Sequence, residues 1–438
     1  MSQDQKNPML IIQNESLLNF IKSEYTYKDI SDLYDFLKSH AALHFETLEN
    51  GLFPAAGTKA ETIYTGYKSV WIRDNIHIAH AHYIAGEMNI TVKNLNTLFT
   101  YFKNHKHRFE EIISGKVDHN NPMNRPHVRF DGDSCAEINQ KWAHAQNDAL
   151  GYFLWLYCKL AIEGIIKPEQ EDMDILLLFP IYWQAISYWD DEDSGHWEET
   201  RKISASSVGV VVAGLELLKN YLTLHEASTT LPVSNDLLQL LIDKGKEKLN
   251  KILPAECIQK DPKKFRRYDS ALLFLIYPLE ILSDAMADQI LSEVITNLKG
   301  NYGIRRYLGD SYWFADYKQK VLPESRTLYV SDDVSARDSH VKSGEEAQWC
   351  IFDPIISIIF GLKYLQTKRE KYLLQQIHYF NRSLGQITGS DCWLGEFLCP
   401  ESYYLENGRY VASDPTPLYW AQANLMCAFK AMERSLGL

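Results

Sequence analysis

Glu198 lies in the stretch SGHWEETRKISASS (residues 194–207), whose residue types could supply a proton donor. Trp197 precedes it, and an apolar neighbour penalises an ionised carboxylate and favours the protonated acid. The carboxylate of Glu199 would act in the same direction if it lay close in space. The same residues also fit a polar loop that leads into a serine-capped helix. The stretch therefore indicates either a general acid or a loop without chemistry.

Glu401 is a second candidate carboxylate, in the stretch CPESYY (residues 399–404). It follows a proline and precedes Tyr403 and Tyr404, in a loop ahead of a predicted helix. A glutamate in a loop is most often exposed and without a catalytic role. A carboxylate framed by proline and aromatic residues is nevertheless a better candidate for a general base than most.

Arg73 and Asp74 are adjacent in GYKSVWIRDNIHIAH (residues 66–80). The arginine offers a rigid fork of donors and the ionised aspartate only accepts, so together they could hold two neighbouring hydroxyls of a pyranose. The alternative is that Asp74 caps a helix starting at Asn75 while Arg73 forms a salt bridge.

Three further residues could bind a sugar. Trp142 could provide a stacking platform and Asp148 a hydroxyl acceptor, although a core tryptophan and a first-turn acid favoured by the helix dipole explain them equally well. Arg306, in GIRRYLGDSYWF (residues 303–314), could hold sugar hydroxyls with Asp310 orienting it. An ordinary surface salt bridge is the alternative there.

A metal site is not favoured by the sequence. His77 and His80 share a helix face and His82 lies near them, but no carboxylate follows in the zinc-protease pattern. We interpret them as buried or hydrogen-bonded histidines. The seven cysteines are scattered and form no C-x-x-C pair. We expect no metal and no cofactor.

Charge and composition exclude several classes of partner. The 438 residues carry a net charge of −12, which argues against nucleic acid and against an anionic membrane surface. No secretory signal is visible at the start, and no apolar run approaches the roughly 20 residues of a membrane span. We therefore expect a cytoplasmic protein with reduced thiols; the oligomeric state is left open.

Helical periodicity dominates the chain, and strand alternation is scarce. We predict a single α domain over residues 1–438, with an N-terminal extension of about 1–28. Long loops rich in glycine and aromatic residues separate alternate helices, as in a toroid of paired inner and outer helices. The predicted helices span residues 30–48, 75–87, 91–113, 146–163, 173–189, 204–221, 235–251, 270–281, 284–298, 346–365, 368–385 and 416–435.

Five segments, taken in order, resemble glycoside hydrolase family 15, the glucoamylases and their relatives the phosphorylase kinase α and β subunits. They are GYKSVWIRD, WAHAQNDAL, HWEE, IRRYLGDSYW and CPESYY…PLYWAQA, and they extend from about residue 40 to 435. The segment GEEAQWCIFDPIISIIFGLKYL is similar to the phosphorylase kinase-like branch in particular. The resemblance implies an (α/α)6 barrel whose loops form a pocket at one end.

The resemblance also implies roles for individual residues. Glu198 would be the general acid and Glu401 the general base of an inverting hydrolase. The implied sugar-binding positions are Tyr67, Arg73, Asp74, Trp142, Asp148, Trp197, Glu199 and Arg306.

Two functions remain as hypotheses. The first is an exo-acting α-glucosidase that releases glucose from the non-reducing ends of short α-glucans. The second is a glucan-binding or regulatory protein that has kept the pocket without the reaction. The family-like sequence begins too early for the β-sandwich of many bacterial glucoamylases, and we see no starch-binding or calmodulin-binding extension. Both departures put raw starch as a substrate and a kinase-regulating role in doubt. Linkage specificity is not decided by these residues.

Overall fold

The computed structural model describes residues 10–225 and 233–437. Its helices, in chain order, are α1 (Tyr27–Ser39), α2 (Ile72–Ile84), α3 (Met88–Asn104), α4 (His107–Ile113), α5 (Asn147–Ile162), α6 (Gln170–Leu176), α7 (Leu178–Ile186), α8 (Ala205–Leu224), α9 (Asn235–Ile252), α10 (Asp284–Leu298), α11 (Tyr317–Lys320), α12 (Ser335–Asp338), α13 (Phe352–Thr367), α14 (Glu370–Gly385) and α15 (Tyr419–Ser435).

Six elements form a closed inner ring. Going round it, α2 contacts α5, α5 contacts α8, and α8 contacts a 3₁₀ helix at Ser270–Leu275. The 3₁₀ helix contacts α13, α13 contacts α15, and α15 returns to α2. Outer helices pack against this ring: α1 on α15, α3 on α2, α9 on α8, α10 on the 3₁₀ helix and α14 on α13. The predicted (α/α)6 barrel is confirmed.

The two rings differ in which residues they bury. The inner helix α8 is buried at every position from Ala205 to Leu215, whereas the outer helix α9 buries residues at three- and four-residue spacing. Gly151 of α5 allows a close approach within the inner ring, because a Cβ there would lie 2.9 Å from the backbone carbonyl carbon of Val210 in α8. Length and composition alone would allow α8 to cross a membrane, but 67% of its apolar window is buried inside the protein.

Several helix predictions need correction. The predicted helix 91–113 is divided into α3 and α4, and 173–189 is divided into α6 and α7. The predicted α-helix 270–281 is wrong, since only a six-residue 3₁₀ helix forms there. The backbone does not continue as a helix because Pro278 lacks the N–H that the next turn needs.

Two small antiparallel sheets form in the loops between helices. The first joins β1 (Val70–Trp71), β2 (Arg129–Asp131) and β3 (Ala136–Glu137). The second joins β4 (Gln348–Trp349), β5 (Ser402–Glu406) and β6 (Arg409–Ala412). Each sheet borders the start of an inner helix, since β1 runs directly into α2 and β4 lies just before α13.

The N-terminal segment packs on the barrel from residue 10 onward. It contains a 3₁₀ helix at Glu15–Phe20 with Leu17 fully buried, and Asn14 Nδ2 donates to the carbonyl of Thr388 at 2.9 Å. Residues 1–9 of the predicted extension lie outside the described residues. That the whole chain forms a single domain stays a prediction.

Candidate active site

A pocket of about 810 Å³ lies at the end of the barrel where the inner helices begin. Asp74 in the first turn of α2, Ile351 before α13 and Trp420 near the start of α15 all line it. Eight of the ten predicted site residues also lie in its wall: Tyr67, Arg73, Asp74, Trp142, Trp197, Glu198, Arg306 and Glu401. Asp148 and Glu199 do not. The five sequence segments therefore converge on one pocket.

Glu198 ends a short 3₁₀ helix, Gly195–Trp197, in a left-handed conformation with φ of 57°. Such a backbone is uncommon for a residue other than glycine. The Ser331 hydroxyl donates to the Glu198 carbonyl at 2.7 Å and helps to hold this turn. One carboxylate oxygen, Oε1, accepts hydrogen bonds from Trp71 Nε1 at 2.7 Å and Arg73 Nη2 at 3.3 Å. The second oxygen, Oε2, accepts none from the described residues.

Glu401 lies directly before β5, and its backbone is held on both sides. Its carbonyl accepts from Cys350 N at 2.9 Å, and its N–H donates to the Pro415 carbonyl at 3.2 Å. Carboxylate Oε1 accepts from the Tyr67 hydroxyl at 2.7 Å, while Oε2 has no hydrogen-bond partner among the described residues. Both candidate carboxyls thus have one oxygen held by a protein donor and one oxygen left for a ligand.

Burial raises the pKa of Glu401 to about 8, although the Tyr67 hydroxyl and the Arg306 guanidinium act against this shift. A general base has to be ionised before it can accept a proton. At neutral pH the carboxyl is therefore mostly protonated, so only the ionised minority could act as a base. The cause is the enclosed aromatic pocket, which strips water from the carboxylate.

Tyr67 and Trp71 connect the two carboxyls. Tyr67 donates to Glu401 and Trp71 donates to Glu198, and the two rings lie 5.4 Å apart between centroids. One segment of chain, just before α2, thus sets the positions of both candidate catalytic groups.

Arg73 is anchored from behind by Asp148. Arg73 Nη1 donates to Gln146 Oε1 at 2.8 Å and to Asp148 Oδ2 at 3.2 Å, and Asp148 is fully buried. Asp148 therefore lies behind the wall instead of contacting the pocket, and it orients the guanidinium that reaches Glu198. The predicted salt bridge and the predicted place of Arg73 in the pocket are both present.

Asp74 faces the pocket from the first turn of α2, where the helix dipole favours a carboxylate. Its side chain accepts no hydrogen bond from another described side chain and is almost completely buried. Burial raises the pKa of Asp74 to about 7, against the attraction of Arg73. An acceptor of this kind suits a ligand hydroxyl.

Arg306 is fixed by two carboxylates. Its Nε and Nη2 donate to Asp310 at 2.7 and 2.6 Å, and Nη2 also donates to Glu199 Oε1 at 2.8 Å. The Tyr307 hydroxyl donates to Glu199 Oε2 at 2.5 Å. Burial opposes ionisation of Glu199, but Arg306 and Arg266 outweigh it and lower its pKa. Glu199 thus positions Arg306 from outside the pocket, away from the face that Glu198 occupies.

The family model of the glycosyl hydrolases family 15 matches residues 37–411 of the chain. The chain belongs to this family.

Relatives and solved structures agree with this assignment. The probable phosphorylase b kinase regulatory subunit alpha of Caenorhabditis elegans is 24% identical over 313 residues, covering 64% of this chain and 24% of that protein. The chain therefore spans about a quarter of the length of that relative. A solved glycosidase variant in complex with glucose superimposes with a TM-score of 0.64 at 16% identity, over 94% of this chain and 99% of that one. The glucoamylase from Saccharomycopsis fibuligera gives 0.59 at 13% identity, over 95% and 99%. Both structures share the fold of this chain.

Sequence reasoning missed part of the wall of this family 15 pocket. Trp71, Trp349 and Trp420 line it, and each lies in a segment that the family resemblance had already drawn attention to. Residues 326–330 also cover the pocket, and no sequence pattern marked them. Tertiary contacts place this segment: Thr327 Oγ1 donates to the Tyr64 carbonyl at 3.3 Å, and Arg326 Nη1 donates to the Tyr64 hydroxyl at 3.3 Å.

The three histidines of α2 do not form a metal site. His77 stacks on Trp420 at 4.6 Å, and His82 stacks on Phe53 at 5.6 Å. Among residues 10–225 and 233–437, no group of three or more His, Cys, Asp or Glu side chains could hold a metal ion.

Proposed function

We propose that this pocket hydrolyses the terminal α-glucosidic bond of short α-glucans or glucosides with inversion. The observation that carries the proposal is the arrangement of Glu198 and Glu401. They line one pocket, each with Oε1 engaged by protein donors and Oε2 left without a partner among the described residues.

The hydrogen bonds assign the reacting oxygens. Glu198 Oε1 already accepts from Trp71 and Arg73, so the acid proton belongs on Oε2. Glu401 Oε1 accepts from Tyr67, so Oε2 is the atom that takes a proton from water.

The reaction follows in one displacement. Glu198 Oε2 gives its proton to the glycosidic oxygen as the bond from that oxygen to the anomeric carbon breaks. Water attacks the anomeric carbon from the opposite face and gives a proton to Glu401 Oε2. The products are the free alcohol and a sugar of inverted configuration, and solvent returns the protons to the starting state.

The remaining wall supports a terminal sugar as the ligand. Asp74 offers an acceptor, and Trp142, Trp349 and Trp420 offer apolar faces. Residues 326–330 add a further part of the wall.

Proton NMR of the first product tests both the activity and its stereochemistry. Maltose, maltotriose, isomaltose and trehalose are incubated in turn with the wild-type protein and with a Glu198→Gln variant. We expect the glucose cut from the non-reducing end to appear first as the β anomer from at least one of them, and no product from the variant; from trehalose, whose leaving group is itself α-glucose, the two anomers should appear in equal amounts. If the glucose cut from the non-reducing end appears first as the α anomer, the assigned mechanism is refuted, and no turnover of any glucoside by the folded protein would refute the activity.

A second candidate is a glucan-binding regulatory protein. Its support is the similarity to a phosphorylase b kinase regulatory subunit over 64% of this chain. The pair of carboxyls that line the pocket, Glu198 and Glu401, speaks against it, because binding alone needs no acid–base pair. Calorimetric binding of maltotriose without product, unchanged in Glu198→Gln, would favour this candidate.

All seven cysteines are unpaired in the structure, and a cytoplasmic location stays our proposal.

A further inference from the structure

A second cavity lies at the opposite mouth of the barrel, where the inner helices end. It measures about 1200 Å³ and opens to solvent. Its walls come from the C-terminal parts of α2, α5, α13 and α15 and from the loop 277–280 that follows the 3₁₀ helix. None of its lining residues is shared with the candidate active site.

His80 of α2 lines this cavity. It is 5% exposed, and neither ring nitrogen makes a hydrogen bond with the described residues. Burial lowers the pKa of His80 to about 3, so the imidazole is neutral at physiological pH. A neutral imidazole carries one donor and one acceptor. Both ring nitrogens are without a partner among the described residues and the residue lines an open cavity, so both can bond to a ligand that enters it.

Aromatic rings surround the histidine. Trp155 lies 5.2 Å from His80 between ring centroids, Tyr277 lies 6.0 Å away, and Tyr83 lies 6.1 Å away in a stacked orientation. All three belong to the wall of the cavity. Such rings offer apolar faces to a flat ligand, while the imidazole offers polar contacts.

The charges at the rim are largely balanced. Lys159 is paired with Glu163 at 2.9 Å, and Lys430 with Glu433 at 2.9 Å. Arg434 and Glu280 also line the cavity, and their charges are opposite. A phosphate would need cations that are free of carboxylate partners. A hydroxyl needs only a donor and an acceptor, which the neutral imidazole supplies together.

We propose that this cavity is a second, non-catalytic site for a neutral mono- or disaccharide. The sugar ring lies against the aromatic wall formed by Trp155, Tyr277 and Tyr83, and its hydroxyls bond to His80. The argument uses only the residues of this cavity, so it stands independently of the activity proposed above.

The test counts binding sites in a protein that cannot consume its ligand. The Glu198→Gln protein is titrated calorimetrically with glucose, maltose, isomaltose and trehalose, and a His80→Phe variant is made in the same background. We expect two sites for at least one sugar in the parent. Phenylalanine removes both polar contacts at similar volume, so binding at the second site should weaken at least about tenfold.

Two controls separate the second site from the first. Leu365→Trp, on the α13 wall of the cavity, should block the same site by filling it, which guards against a folding defect peculiar to His80→Phe. Asp74→Asn should weaken only the other site. Hydrolysis by the wild-type protein is measured separately, so loss of the proposed activity would leave this test unaffected.

Three outcomes would overturn the proposal. They are the absence, for every sugar, of any site that the cavity variants weaken, two sites that persist in both cavity variants, and binding of inorganic phosphate that the cavity variants abolish. The last would show that the cavity takes an anion instead of a neutral sugar.

Discussion

Replacing Tyr67 with phenylalanine removes one hydrogen bond to the carboxylate of Glu401, the candidate base, and removes no other hydrogen bond to that carboxylate. The Tyr67 hydroxyl donates to Glu401 Oε1 at 2.7 Å and opposes the effect of burial, which raises the pKa of Glu401 to about 8. A hydrogen bond to a charged group contributes about 1.5–3 kcal/mol, and one pKa unit corresponds to about 1.4 kcal/mol. The pKa of Glu401 should therefore rise by a further 1–2 units or so in the variant.

The sign of the activity change follows from the role of the base. Only ionised Glu401 can accept a proton from water, so activity rises as the pH increases through its pKa. With a pKa of about 8, roughly one tenth of the molecules are ionised at pH 7. The variant should thus lose about 10- to 100-fold in kcat/KM at pH 7. The ratio of variant to wild-type kcat/KM should climb towards one as the pH rises.

The assay is kcat/KM for the best glucoside between pH 5 and about 10, with folding checked at each pH. Tyr312→Phe is the matched control, because its hydroxyl lies 3.1 Å from that of Tyr67 and does not bond to Glu401. It should shift the profile less. If Tyr67 only contacts the sugar, its loss would lower kcat/KM by the same factor at every pH. That result would refute the reasoning.

Three further changes have defined outcomes. Arg73→Ala leaves Asp148 buried without its cation, so the free energy of unfolding in urea should fall by about 3–5 kcal/mol. The transition-state stabilisation obtained from kcat/KM per folded molecule should fall by about 2–3 kcal/mol. Unchanged stability would contradict the anchoring of Arg73 by Asp148. The lowered pKa of Glu199 means that its stabilisation is complete above the ordinary glutamate value and is lost as the pH falls below it. Glu199→Gln should therefore flatten the pH dependence of Tm below about pH 4. It should also raise KM, because Arg306 loses a carboxylate that holds its guanidinium in place. An unchanged dependence of Tm on pH would count against the stabilising role of Glu199. Gly151→Ala should destabilise the protein by about 1–3 kcal/mol in urea, because its Cβ would meet the α8 backbone, with kcat/KM per folded molecule retained.

The sequence predicted the fold well where a single physical signal dominates. Hydrophobic periodicity located α9 and α10 to within a residue at each end, because each buries one face at three- and four-residue spacing. It failed at 270–281, where the residues are apolar on all sides. The apolar pattern continues past the point where Pro278 stops the helix, so the pattern alone overestimates its length. No feature of the composition marks the break near His105 that divides the predicted helix 91–113 into α3 and α4.

The sequence identified most of the residues of the site, but not which of them line the pocket and which lie behind its wall. Glu198 and Glu199 are adjacent, yet the left-handed turn at Glu198 sends the two carboxylates to different sides of the wall. Asp148 likewise follows from a family-like segment, but its depth behind Arg73 depends on the packing of α5 against α2. Residues 326–330 reach the pocket only through tertiary contacts. Sequence order carries no information about such depth.

The sixth inner element is much shorter than the others. A six-residue 3₁₀ helix spans about 12 Å, whereas the 13 residues of α2 span about 20 Å. At the end of the barrel where the inner helices end, the loop that contains Tyr277 therefore closes this part of the ring. The loop has fewer backbone hydrogen bonds than a helix of the same length. Amide hydrogens in residues 276–282 should exchange with solvent earlier than those of α2 and α5, because local opening starts where such bonds are sparse. We therefore expect the barrel to open locally in this sector before it unfolds globally, and the sector lies beside His80 on a cavity that shares no lining residue with the candidate active site.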